Sequence, residues 1–115
     1  IIAKRNQVVV IDAAGKTTVA GEVGGKTNFT DWAWNEMRIT AVGPRLIHQI
    51  NGEVTVDVTD NAPNGAAKGI LALQLHAGPA MRVEFKDLKL RRLSGDEAAT
   101  VLKEVLTTAA PTTGK

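Results

Sequence analysis

The sequence predicts an all-β fold, a sandwich or barrel, that ends in a short helix. Three observations predict it. Runs of alternating apolar and polar residues recur up to Leu93, the period of strands with one side in a core. Tight-turn pairs separate several of these runs, at Gly43-Pro44, Asn51-Gly52 and Gly78-Pro79. Beyond Leu93 the pattern changes to a helical one behind Ser94-Gly-Asp-Glu97, a capping box. Strands in series, linked by turns, indicate a sandwich or barrel.

The elements follow in order. Gln7 to Ile11 is a β-branched run that ends on Asp12-Ala-Ala-Gly15, a strand and its turn. Thr17 to Val19 is a short return strand, and Gly21, Gly24 and Gly25 open a loop to about Asp31. From Trp34 to Val42, Met37, Ile39 and Ala41 alternate with Glu36, Arg38 and Thr40. Arg45 to Ile50 is the partner strand, with Leu46, His48 and Ile50 on one face. Asn51-Gly52 is the strongest two-residue hairpin signal, because both positions accept positive φ. Val54 to Thr59 reads as a strand of clean period two and completes a three-strand meander.

Asp60 to Lys68 is a polar loop. Gly69 to His76 is the next strand, with Leu71, Leu73 and Leu75 opposite Ala72, Gln74 and His76. Met81 to Phe85 and Leu88 to Leu93 form the last long strand, and a one-residue bulge near Lys86-Asp87 repairs its phase. Ala98 to Leu106 forms the helix, with Val101, Leu102 and Val105 on one side, and Ala109 to Lys115 reads as a linker tail. The division is therefore a β-sandwich over 1–93 and a helix with tail over 94–115.

The 115 residues suffice for one domain and not for two. Aromatics are limited to Phe29, Trp32, Trp34 and Phe85, so the core is built from Val, Ile and Leu with Phe85 as its bulky anchor. The net charge of +2 supplies no basic face for nucleic acid. The absence of cysteine excludes disulfides and thiolate metal sites within these residues. No apolar run is long enough to span a bilayer, and no signal peptide is visible. A start at Ile1 rather than Met, entering at once into a strand-like run, reads as a processed or partial chain.

Several motifs fail on their spacing. Gly15-Lys16-Thr17 and Gly25-Lys26-Thr27 resemble the end of a phosphate-binding loop, but Val10 and Ala20 stand where its first glycine belongs. Asn28-Phe29-Thr30 is a formal glycosylation sequon, best read as chance. The two histidines have no metal-binding spacing.

The residues suited to chemistry are few. Gln74 and His76 share one side of a strand, about 7 Å apart along it, just before Gly78-Pro79, where a loop can shape a pocket. The plain alternative for His76 is a surface or hydrogen-bonded structural role. His48, in phase with Leu46 and Ile50, reads as half-buried and structural. Glu36 and Arg38 share a polar strand face, where a solvated ion pair is the plain reading. Trp34 suits stacking on a sugar or anchoring a sandwich edge. Asp57 and Asp60 have no evident partner.

These residues, taken together, resemble a family. Trp34-Asn-Glu-Met-Arg-Ile39, Gly43 to Gly52 with its Ile-Asn-Gly end, Val56 to Asp60, Gly69 to Pro79 with Leu-Gln-Leu-His-Ala-Gly-Pro, and Val83 to Leu88 are similar in order and spacing to the 3-keto-disaccharide hydrolase domain. The likeness covers about residues 6–93, judged by strand register. It implies a concanavalin A-like jelly-roll β-sandwich in exported bacterial proteins, periplasmic or extracellular. It also implies cleavage of glycosides already oxidised to a ketone at sugar carbon 3. On this resemblance His76 is the acid/base and Gln74 a hydrogen-bonding group, with Glu36, Arg38 and Trp34 lining the substrate. Some members use a divalent metal; no ligands for one are assignable here, and no other cofactor is implied.

Ala80 replaces a common second proline and Met37 a common aromatic. The family domain is longer, so N-terminal strands that complete both sheets are absent from these residues. The sheet edges then need cover from such strands, a second chain or an assembly. The rival readings are a non-catalytic sandwich that binds carbohydrate or protein, and a subunit of a larger complex.

Overall fold

The computed structural model describes residues 2–24 and 29–109. Five strands form one sheet: β1 (Gln7–Ile11), β2 (Thr17–Glu22), β3 (Met37–Val42), β4 (Arg45–Ile50) and β5 (Glu53–Asp60). One helix, α1 (Gly95–Ala109), follows. The strand order is β2-β1-β5-β4-β3. All neighbours are antiparallel except β1 and β5, which run parallel with Gln7 opposite Val56 and Ile11 opposite Asp60.

The turns follow from their residues. Asp12 Oδ1 accepts the amides of Ala14 and Lys16, closing the β1–β2 turn. Gly43, at φ 54, leads the two-residue β3–β4 loop, where a hairpin favours glycine. Asn51 and Gly52 both have positive φ and join β4 to β5, as expected of an Asn-Gly turn.

The expected clean alternation of β5 is broken. The ladder slips between His48 and Gln49, so that His48 faces Val56 while Gln49 faces Val54, leaving Thr55 as the extra residue. Its hydroxyl bonds the His48 carbonyl and its own carbonyl accepts the Asn6 amide. The slip sends Val54 to one side of the sheet and Val56 and Val58 to the other. Val54 packs with Val23, Ile47 and Val105 of α1, with Val8, Val101, Leu102 and Leu106 around them. Val58 packs with Val9 and Ile11 on the second face. These buried aliphatic side chains are the core the composition predicts.

The capping box forms in both directions: Ser94 Oγ accepts the Glu97 amide, and a Glu97 carboxylate oxygen accepts the Ser94 amide. The helix begins at Gly95 rather than Ala98, because the box satisfies its first turn. Asp96 and Glu97 also place negative charge at the positive end of its dipole.

Two expectations differ from the structure. Gly69 to His76 and Met81 to Leu93 join no ladder, and every residue from Pro63 to Arg92 is exposed. The physical reason is the lack of a neighbouring strand among the described residues: alternation alone does not satisfy backbone amides and carbonyls. Phe85 is accordingly half exposed and does not anchor the core. The Lys86-Asp87 irregularity persists as a backbone kink, with Asp87 at φ 55. The fold is thus mostly β with one C-terminal helix, and it forms one layer of a β-sandwich. On the second face Val19, Met37, Ile39 and Leu46 remain exposed. Asn28 of the sequon, the second Gly-Lys-Thr, Ile1 and the tail from 110 lie outside the described residues.

Candidate functional site

The motif residues around Trp34 and Asn51 form a clasp. Asn35 Oδ1 accepts the Thr30 amide and the Asn51 side-chain amide, each at 3.0 Å. Asn35 Nδ2 donates to the carbonyls of Thr30 and Ala33, at 2.8 and 3.1 Å. The side chain thereby uses both donors and both acceptor sites. Asn51 Oδ1 accepts the Glu36 amide, and the Asn51 amide donates to the Glu36 carbonyl, both at 2.8 Å. The Trp-Asn-Glu and Ile-Asn-Gly motifs are thus tied side by side. Neither asparagine carried a role in the sequence reading; each sits in a motif, but only the fold reveals that their side chains meet.

Beside the clasp, Glu36 and Arg38 approach to 3.8 Å with both side chains largely exposed, a solvated pair that contributes little to stability. Trp34 precedes β3 rather than opening it, and the Lys86 ammonium lies 4.2 Å from its ring centroid. This contact joins the Trp34 segment to the Met81–Leu93 stretch.

Gln74 and His76 lie exposed in the stretch that forms no ladder. His76 Nδ1 lies against the Ala77 carbonyl. A carbonyl only accepts, so Nδ1 carries the proton and Nε2 presents its lone pair outward. Two shallow pockets of about 390 Å³ each are present. One runs along the start of α1, lined by Arg91, Asp96, Glu97, Thr100, Val101 and Glu104. The other is in the loop before β3, lined by Phe29 to Ala33 and Asn35. His76, Gln74, Glu36, Arg38 and Trp34 line neither.

Other polar groups have structural partners. Asp57, which seemed to lack one, is buried and takes two bonds from Arg45: Nε to Oδ1 at 3.0 Å and Nη2 to Oδ2 at 2.6 Å. The hydrogen bond from Asp57 raises the Arg45 pKa above its ordinary value. Asp60 Oδ1 accepts the Ala62 amide. His48 is half-buried, and desolvation lowers its pKa. Among the described residues, no three His, Asp or Glu side chains gather in a way that could hold a metal ion. These residues do not fit a resident divalent metal, and no step below uses one.

Residues 7–91 match the 3-keto-alpha-glucoside-1,2-lyase-like domain. The chain belongs to this family. No match is found among curated proteins or solved structures. The region matching the lyase-like domain contains the Asn35–Asn51 clasp, the Gln74–His76 stripe and all of the five-stranded sheet, but not α1. No helix among the described residues is long and apolar enough to cross a membrane.

Proposed function

We propose that this lyase-like domain cleaves the glycosidic bond of 3-keto glycosides by removing the proton on sugar carbon 2. The family match over residues 7–91 carries the reading. The ketone at carbon 3 acidifies that proton, because the electron pair left behind delocalises onto the carbonyl oxygen. His76 Nε2 takes the proton, and the Gln74 amide donates to the enolate oxygen. Collapse of the enolate re-forms the carbonyl, makes a double bond between carbons 1 and 2, and expels the glycosidic oxygen, which leaves with a proton as an alcohol. Addition of water across that double bond completes hydrolysis. Glu36, Arg38 and Trp34 line the substrate in this reading. An exported bacterial setting belongs to the same proposal and rests on the family resemblance.

One observation favours a second reading. Ile70, Leu71, Leu73, Leu75, Leu88 and Leu90 are exposed together, more apolar surface than a free domain normally presents. A sandwich module completed by further strands or a partner protein, binding carbohydrate or protein without catalysis, would bury them.

The test compares a 3-keto-disaccharide with its unoxidised parent, using wild type and His76→Ala. Selective turnover of the ketone, lost in the variant, is the expected result. Folded wild type that turns over neither sugar rejects the catalytic reading in favour of the binding module.

A further inference from the structure

The loop before β3 presents Trp32 in an unusual way. Its side chain is fully exposed and makes no hydrogen bond or ring contact among the described residues. Its backbone has φ 62, a left-handed conformation that bulky residues rarely adopt. The loop is held on both sides of it: Asn35 grips Thr30 through two bonds and Ala33 through a third, and Asn51 grips Asn35. A large apolar ring is therefore aimed into solvent from an immobilised mount. Fold stability explains neither the exposure nor the φ, and such outliers mark functional positions.

We propose that this loop is a docking platform for a saccharide ring, with the Trp32 indole stacked on the sugar's C–H face. The chemistry of the pocket selects that ligand class. The axial C–H groups of a pyranose are weakly positive and seek the negative face of an aromatic ring. Its equatorial hydroxyls need acceptors and donors, and the same pocket carries the Asp31 carboxylate and the Thr30 hydroxyl beside Phe29. The neighbouring aromatics are less free: Arg5 lies 5.8 Å from the Phe29 ring and Lys86 lies 4.2 Å from the Trp34 ring. Trp32 alone of the three offers an unpartnered face among the described residues. Clamping the loop beforehand lowers the ordering cost of binding. Ring docking needs no ketone, so the platform goes beyond the proposed bond cleavage and accepts an unoxidised sugar.

The test titrates the protein with sucrose, trehalose and maltose by calorimetry, with glycerol as a polyol lacking a ring. Trp32→Asn removes the ring but keeps a residue that tolerates left-handed φ, so its melting temperature should equal or exceed that of wild type. Binding of at least one disaccharide, weakened about tenfold or more in Trp32→Asn and largely kept in Trp32→Tyr, is expected. No disaccharide binding by wild type overturns the platform, as does equal binding by Trp32→Asn. A change of oligomeric state in Trp32→Asn also overturns it, because the ring is then a contact between copies. Binding without turnover of 3-keto sugars sinks the catalytic reading alone. Turnover with binding and KM unchanged in Trp32→Asn sinks the platform alone.

Discussion

Replacing Arg45 by methionine strips the cation from a carboxylate that cannot reach water. The Asp57 side chain is 4% exposed, and its register neighbours across the two adjacent strands are Val8 and Ile47. The Arg45 side chain is 30% exposed, so the pair is asymmetric. With Arg45 gone, Asp57 either stays charged in an apolar setting or takes up a proton. The second route caps the loss. Protonating a carboxyl of ordinary pKa near 3.9 at pH 7 costs about 4 kcal/mol, at about 1.36 kcal/mol per unit. Arg45→Met should therefore cost about 3–4 kcal/mol at pH 7, in line with broken buried pairs elsewhere. The cap falls to about 1.5 kcal/mol at pH 5, and the cost should fall with it. Asp57→Leu leaves only a cation that can turn to water, so it should cost about 1–2 kcal/mol. The double variant should recover much of the loss of Arg45→Met. Urea unfolding followed by circular dichroism, at pH 7 and pH 5, reads all three. If Arg45→Met is unfolded at pH 7, its refolding at pH 5 is the same prediction in another form. A loss below about 1 kcal/mol that ignores pH would mean a surface pair and would refute the reasoning.

Two further outcomes follow from the sheet. Burial lowers the His48 pKa, so between that value and the unfolded value near 6.5 the folded state binds fewer protons than the unfolded one. Stability should then fall as pH drops through about 6.5 and level off below the folded pKa. His48→Gln should flatten the fall in melting temperature between about pH 7.5 and 5.5, and an unchanged slope would remove His48 as the cause. Gly24 has φ 70, and a Cβ there would stand 2.5 Å from the Val54 carbonyl oxygen. Gly24→Ala should cost about 2 kcal/mol or more from strain and backbone displacement together; a urea midpoint equal to wild type would contradict the close approach.

Short-range chemistry was legible in the sequence. Asn51-Gly52 fixed a turn because two residues decide it, and Ser94 with Glu97 marked a helix start because the box spans one turn. The meander followed from alternation joined by such turns. What escaped the sequence depends on neighbours distant along the chain. Nothing in Val54 to Thr59 announces that Thr55 bulges, since the slip is a relation between β4 and β5. Asp57 seemed unpartnered because Arg45 reaches it only once β4 lies beside β5. The 69–93 stretch has the alternation of strands, yet a ladder also needs a partner with free amides and carbonyls. The same limit applied to the site: the family resemblance drew attention to the Gln74–His76 stripe, whereas the Asn35–Asn51 clasp required two turns of chain to meet.

The parallel pairing of β1 with β5 has a consequence during synthesis. Gln7 through Ile11 bond to Val56 through Asp60, so β1 leaves the ribosome long before its parallel partner exists. Until then only the β1–β2 hairpin can hold it, and an isolated two-stranded hairpin is marginal in water. The meander from Met37 to Asp60 closes over short loops and can assemble as soon as it is made. It then offers β5 as the template on which β1 docks, so the strand made earliest takes its place in the sheet last.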